Sequence, residues 1–249
     1  MTLIGLDLDG TLEDSRRDMV AVARRVRASL TLPARPDDAL LPWVNKGMDQ
    51  LYRAGFDDFI GTDEARLAEV RRLYEADYFD HVAVETRLYP GIASAVERLS
   101  TMGALACVTN KPERISWRLL EVLGVSKFFT TVIGGDTCPK GKPDPMVLEA
   151  AARRCGFEKK PARTIMIGDA PADLAMGRAF GAATIWCAWG YAGQPGGERP
   201  DWIAHTPDQL PELVREAFGV IGSQRSRRKG DGGRGEEREA SLPPHERAR

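Results

Sequence analysis

The stretch Leu3-Ile4-Gly5-Leu6-Asp7-Leu8-Asp9-Gly10-Thr11 is a short apolar run that ends in two carboxylates one residue apart, then glycine and threonine. Such a run reads as a strand buried in a parallel sheet. In extended chain, residues two apart point to the same side. Asp7 and Asp9 can therefore both face the space beyond the strand's carboxyl end, where open α/β sheets bind their ligands. Gly10 allows a sharp turn and a close approach of backbone to ligand. Two crowded carboxylates repel each other unless a cation or a shared proton offsets the charge, and magnesium is the natural hard, oxygen-binding partner. Taken alone, Asp-x-Asp-Gly fits a plain turn or a calcium-type loop as well as a catalytic site.

Outward from this stretch the pattern changes twice. Asp14 or Ser15 is placed to cap a helix running to about Leu30, with Met19, Val20, Val22, Ala23 and Val26 as its apolar stripe. Short helices then follow from about Ala39 to Phe79, and no strand is expected between Thr11 and Leu88. From Ile92 onward strands and helices alternate. Strands are expected at 104–108, 131–133, 164–167, 183–186 and 202–204, separated by helices at 92–102, 113–123, from Pro145 at its first position to Gly156, from Pro171 to Gly181, and 208–218. This spacing argues for a parallel sheet covered on both faces, with an all-helical block inserted after the first strand.

Four polar clusters fall at the ends of four of these strands: Asp7/Asp9, Thr109/Asn110, Lys142, and Asp169/Asp173. Singly, each has a plain structural explanation. Thr109-Asn110 fits a helix cap, Lys142 a surface lysine in a rigid Lys-Pro-Asp-Pro turn, and Asp169 a cap for the helix that Pro171 opens, with Asp173 complementing its dipole. Together they supply what metal-assisted phosphoryl transfer requires. That set is a carboxylate nucleophile, a second carboxylate for acid and base work, donors for phosphate oxygens, and acidic metal ligands.

Composition narrows the alternatives. The chain has 249 residues, 35 basic and 36 acidic side chains and a formal net charge of −1, which gives no overall nucleic-acid or membrane signal. No apolar run is long enough to span a bilayer, and Asp7 and Asp9 interrupt what would otherwise be the apolar part of a secretory signal. Cys107, Cys138, Cys155 and Cys187 form no C-x-x-C pair, and are expected as reduced thiols of a cytoplasmic protein. His81, His205 and His245 are too few and scattered for a histidine metal site or a hydrolase triad. From Ser223 to Arg249 the chain is rich in Arg, Gly, Glu and Pro, and a disordered tail is expected over 221–249. Its basic run Arg225 to Lys229 could touch nucleic acid or an acidic partner, but more simply is solvated.

With these residues in view, the sequence resembles the haloacid dehalogenase-like hydrolase superfamily. The resemblance rests on Asp-x-Asp-Gly-Thr at 7–11, Thr-Asn at 109–110, Lys-Pro-x-Pro at 142–145 and Gly-Asp-x-x-x-Asp at 168–173, in that order, and covers roughly residues 1–220. Asp-Ser at 14–15, Tyr-Pro-Gly at 89–91, Thr-Asn-Lys-Pro at 109–112 and Gly-Lys-Pro-Asp-Pro at 141–145 make it closest to the phosphoglycolate phosphatase-like branch. The resemblance implies a Rossmann-like α/β core over 1–14 and 88–220 with a helical cap over 15–87. It implies that Asp7 is the nucleophile and that Asp9 is the acid and base. Magnesium would be ligated by Asp7, Asp169 and the backbone carbonyl of Asp9, with Asp173 in an outer position. Thr109, Asn110 and Lys142 would bind phosphate. Ala170 departs from the family pattern, where a small hydroxyl residue is common.

The implied activity is magnesium-dependent hydrolysis of a small phosphorylated metabolite, 2-phosphoglycolate first, by a monomer or homodimer with no membrane or nucleic-acid partner. A sugar-phosphate mutase, a pyrophosphatase or nucleotidase of the same fold, and a non-catalytic binding protein remain open alternatives. Arg16, Arg17, Lys46 and Arg53 of the cap, and Lys111 beside Asn110, are basic candidates for gripping a second anionic group of the substrate. For each cap residue, solvated surface charge is the plainer explanation.

Overall fold

The computed structural model describes residues 2–44 and 46–219. The first strand, β1 (Thr2–Leu6), leads through a tight loop into a two-residue strand, β2 (Glu13–Asp14). Five helices follow: α1 (Arg16–Ser29), α2 (Asp37–Val44), α3 (Met48–Gly55), α4 (Asp57–Ile60) and α5 (Glu64–Asp80). Strand β3 (Arg87–Leu88) returns antiparallel to β2, pairing Glu13 with Leu88 and Asp14 with Arg87. Then come α6 (Ile92–Ser100), β4 (Ala104–Val108), α7 (Glu113–Val122), β5 (Thr131–Ile133), α8 (Met146–Arg154) and β6 (Arg163–Gly168). The rest is α9 (Pro171–Phe180), β7 (Ala183–Cys187), β8 (Trp202–Ala204) and a closing helix, α10, over 210–219. The tail expected over 221–249 lies outside the described residues.

Six strands form one parallel sheet in the order β5-β4-β1-β6-β7-β8. β1 is central, which explains its nearly unbroken apolar sequence: it is covered on both faces. Period-two alternation sends Ile4 and Leu6 to one core, shared with Leu105, Ile165, Ile185, Leu210 and Val214. Leu3 faces the other, with Val108, Leu148, Met166 and Met176. Gly5 sits where a Cβ would come within 3.1 Å of both the Leu148 and Met166 side chains, so α8 packs directly on the strand there.

The helical block has its own apolar interior. The α1 stripe, Met19, Val20, Val22, Ala23 and Val26, is buried together with Leu51, Tyr52, Val70, Tyr74 and Tyr78. Arg27 is buried among them and spends its donors on both Asp58 oxygens and on the carbonyls of Gly55 and Pro33. Buried Asp18, in the first turn of α1, accepts bonds from the amides of Glu85 and Thr86 and from the Thr86 hydroxyl. These bonds tie the exit of the block to its entrance, beside the β2–β3 pair.

Three local expectations change. The β2–β3 pair lies where no strand was expected; two residues per strand are too few to show a period. Pro145 is the cap before α8 and not its first residue. Ser15 does precede α1, but its hydroxyl caps no amide of the helix and turns instead to Asp9.

Candidate active site

The sheet order brings the predicted polar clusters to one edge. β4, β1 and β6 are adjacent and parallel, so the residues after Val108, Leu6 and Gly168 emerge side by side at their carboxyl ends. Asp7 continues the sheet through its amide, which donates to the carbonyl of Ile167 at 2.9 Å. Its buried carboxylate accepts the amide of Leu8 at 2.7 Å and faces the ammonium of Lys142 at 2.7 Å. Lys142, in the loop between β5 and α8, also donates to Asp173 at 2.7 Å, and the other Asp173 oxygen accepts the amide of Ala170 at 3.0 Å. One buried ammonium thus bridges two buried carboxylates.

Asp169 follows β6. One oxygen accepts the Thr11 hydroxyl at 2.9 Å and the other the amide of Tyr191 at 2.7 Å. The backbone at Gly10 has φ +81°, and a Cβ there would lie 2.3 Å from Asp169 Oδ2. Glycine is therefore required twice over, for the left-handed turn and for the space the carboxylate fills. Thr109, after β4, is buried, and its hydroxyl accepts the amide of Lys111. Asn110 Oδ1 accepts the amide of Lys142 at 3.1 Å, so the amide side chain locks the lysine loop and does not cap a helix; Pro112 holds the cap position of α7.

Asp9 is held in a second network. Its Oδ1 lies 2.5 Å from the ammonium of Lys111 and 2.5 Å from the Ser15 hydroxyl. Lys111 also reaches Tyr78 of α5 at 2.8 Å, and Glu13 stands 3.7 Å away, wholly buried. No donor among the described residues satisfies either Glu13 carboxyl oxygen. Burial, then the charge of Asp9, pushes the Glu13 pKa well above the ordinary carboxylate range, and once protonated it becomes a donor to Asp9. Asp9 itself shifts down: burial opposes ionisation, but the Lys111 ammonium with the bonds from Glu13, Lys111 and Ser15 outweighs it.

The structure brings together the carboxylates, Thr109, Asn110 and Lys142 singled out in the sequence, and adds the setting of Asp9, which the sequence did not reveal. Ser15 carried a signal, that of a helix cap, which pointed to the wrong role. Tyr78 and Tyr191 carried none. Lys111, a candidate for gripping substrate, is instead buried and already committed to Asp9 and Tyr78.

All of the predicted site residues except Asp173 line one cavity of about 260 Å³, which Met19, Val44, Lys46, Gly47 and Met48 close from the helical block. Of the four cap cations singled out from sequence, only Lys46 lines it. Arg16 is held by Asp14, Arg17 by Glu85, and Arg53 by Asp49 and Glu64.

The donor set fits a divalent cation. Oxygens of buried Asp7, Asp169 and Asp173 lie within 4.8 Å of one another. Three carboxylates against the single ammonium of Lys142 leave two negative charges uncompensated. Burial, then the charge of Asp173, lifts Asp7 to about 7 despite Lys142, and burial, then the charge of Asp7, lifts Asp169 to about 7. Hard oxygen donors with two excess charges suit magnesium.

Comparison with known proteins agrees with this geometry. Residues 1–181 match the family model for haloacid dehalogenase-like hydrolases. The chain is 33% identical over 218 residues to the phosphoglycolate phosphatase of Neisseria meningitidis serogroup A, covering 84% of this chain and 91% of that one. It is 32% identical over 220 residues to that of Haemophilus influenzae Rd, covering 85% and 97%. The crystal structure of a predicted phosphoglycolate phosphatase from Haemophilus somnus 129PT superposes with a TM-score of 0.73 at 26% identity, over 85% of this chain and 97% of that one. Among the described residues no helix is long and apolar enough to cross a membrane.

Proposed function

The chain belongs to the haloacid dehalogenase-like hydrolases and is a phosphatase; from that premise we propose that it hydrolyses 2-phosphoglycolate with magnesium, through an aspartyl phosphate on Asp7. The observation that carries the proposal is the meeting of Asp7, Asp9, Asp169, Thr109, Asn110 and Lys142 around one cavity at the carboxyl edge of the sheet. Asp7, Asp169 and the Asp9 carbonyl would hold the metal, with Asp173 held back by Lys142 and the Ala170 amide. When bound, magnesium supplies charge neutralisation for the phosphoryl oxygens and for the attacking carboxylate.

In the first step Asp9 takes up a proton from solvent, against the pull of Lys111 towards its ionised form; Asp7 then attacks phosphorus, the bond from phosphorus to the ester oxygen breaks, and Asp9 delivers that proton to the departing alcohol. In the second, Asp9 takes a proton from water as that water attacks phosphorus, and the bond to Asp7 breaks, releasing phosphate. Thr109, Asn110 and Lys142 hold and neutralise the group in transit, which is most of what phosphoryl transfer asks of a protein. The helices over 15–87 act as the cap that excludes bulk water and selects the substrate.

The direct test is phosphate release from a panel of esters, sugar phosphates, nucleotides and pyrophosphate, with magnesium and after chelation. We expect magnesium-dependent release with 2-phosphoglycolate preferred; release that survives chelation, or preference for another ester, would contradict the metal or the substrate assignment.

Lys46 is the cation of the helical block that would meet the glycolate carboxylate. Its ammonium rests over the Trp43 ring, 4.3 Å from the centroid, and the residue lines the cavity from the helical block. A charge-assisted bond of about 1.5–3 kcal/mol corresponds to roughly 10–100-fold in binding. Lys46→Met is expected to raise KM for 2-phosphoglycolate by about that factor and to leave KM for an alkyl phosphate without a carboxylate nearly unchanged. Equal effects on both esters would remove Lys46 from substrate recognition.

Metal and protons should also compete in the stability of the protein. Folding raises Asp7 and Asp169 from an unfolded value of 3.8 to about 7. Raised carboxylates contribute most stability below the unfolded pKa and lose it as pH climbs through the folded one. The metal-free Tm is therefore expected to fall between about pH 4 and pH 7 from these two groups. Magnesium binds the ionised forms, so its stabilisation should be larger near pH 8 than near pH 5. A thermal-shift series across pH checks both slopes.

A further inference from the structure

Lys111 takes no part in these two steps, yet it is among the most completely buried charged groups of the protein, with a side chain 0% exposed. A buried ammonium must have its donors satisfied. Those of Lys111 go to Asp9 Oδ1 at 2.5 Å, Tyr78 Oη at 2.8 Å and Ser15 Oγ at 3.3 Å, with Glu13 at 3.7 Å. The partners come from separate segments: the turn after β1, the helix α5, and the approach to α1. Tyr78 is itself fully buried and packs edge-on against Tyr74, whose hydroxyl donates to the carbonyl of Met19 in α1 at 2.6 Å. Met19 lines the cavity. An unbroken set of contacts thus runs from the cavity wall of the helical block to the carboxylate of Asp9.

We propose that Lys111 is a positioning residue for proton transfer: it fixes the Asp9 carboxylate, and through Tyr78 it makes that placement depend on where α5 sits. This rests on the role of Asp9 as acid and base in the proposed reaction. Proton transfer to a leaving oxygen requires hydrogen-bond reach, so a displaced carboxylate loses its effect as an acid even though it is still present. The link has a functional consequence. The proton donor is held by the same helical block that closes the cavity, so the placement of Asp9 follows the seating of that block.

The test uses the leaving group. Esters of weakly basic phenols depart without help, whereas alkyl esters need a proton, so the slope of log kcat/KM against leaving-group pKa reports acid catalysis. It reports only steps up to loss of the alcohol and is blind to the later hydrolysis. Wild type is expected to give a shallow slope. Lys111→Met should steepen it, with alkyl phosphates losing about 100-fold or more and p-nitrophenyl phosphate less than about 10-fold. Tyr78→Phe keeps the ammonium and removes one of its ties; it should steepen the slope in the same direction, by less. If Lys111→Met does not fold, Tyr78→Phe alone decides. A common loss for all esters, with the wild-type slope retained, overturns the proposal. Asp9→Asn separates the two levels. An unchanged slope there would refute the acid role of Asp9 itself, whereas a steep slope in Asp9→Asn with a wild-type slope in Lys111→Met would refute only the role of Lys111.

Discussion

Asp7→Asn is expected to lower kcat for 2-phosphoglycolate by at least about 10⁴-fold, the scale on which removal of a covalent nucleophile acts. The amide is nearly isosteric, so the amide of Leu8, now 2.7 Å from Asp7, keeps an oxygen acceptor. The fold should therefore survive. The variant also removes one of three crowded negative charges, and burial had already pushed the Asp7 pKa up to about 7. Its metal-free Tm should accordingly be equal to or above that of wild type at neutral pH. Loss of activity with Tm retained would separate chemistry from folding. Activity within about tenfold of wild type, in protein checked by mass for reversion of the asparagine to aspartate, would mean that Asp7 is not the nucleophile.

Lys142→Met should damage both activity and stability. The ammonium is the one positive side chain within hydrogen-bond distance of Asp7 and Asp173 among the described residues. Its own pKa is raised, because the charges of Asp173 and Asp7 outweigh the burial that disfavours it. Without it, carboxylates of Asp7 and Asp173 are left buried and unpaired, which costs about 3–5 kcal/mol where protons cannot compensate. At neutral pH part of that cost is recovered by protonation, so the loss of stability should grow as pH rises. Catalysis loses a preorganised charge at the transferring group, and kcat should fall about 10²–10³-fold. Denaturant midpoints at two pH values and steady-state kinetics check the pair of effects. A stability loss independent of pH would show that the carboxylates are not the groups left unpaired.

The core of this protein was legible because its signals are local. β1, β4, β6 and β7 are strands of five or six mostly apolar residues, and a parallel sheet gathers the residues after its strands at one edge. Asp7, Thr109 and Asp169 stand directly after strands and Asn110 one residue further on, so a strand-end pattern marks them in the sequence. Asp9 stands two residues further on, and Lys142 in its Lys-Pro motif is also carried by short-range pattern. The surroundings of Asp9 could not be found the same way. Tyr78 is 33 positions from Lys111, and Ser15 is 96 positions from it, so their meeting depends on how α5 and α1 pack, which no local period encodes. Tyr191 is similar: its amide secures Asp169 and its hydroxyl receives the amide of Ser15, from a loop with no motif of its own. The cap cations show the converse. Four looked equivalent in sequence; ion pairs engage three of them, Arg16 with its near neighbour Asp14, Arg53 with Asp49 one turn away and Glu64, and Arg17 with the distant Glu85, while Lys46 lines the cavity.

The central claim is that Asp7 carries the phosphoryl group. The most direct measurement is mass spectrometry of peptides from enzyme quenched in acid during turnover of 2-phosphoglycolate with magnesium. The expected result is a peptide spanning Asp7 that is heavier by one phosphoryl group, with the modification on Asp7 and absent when substrate or magnesium is withheld. Steady turnover with Asp7 unmodified and the phosphoryl group found on another side chain would contradict it.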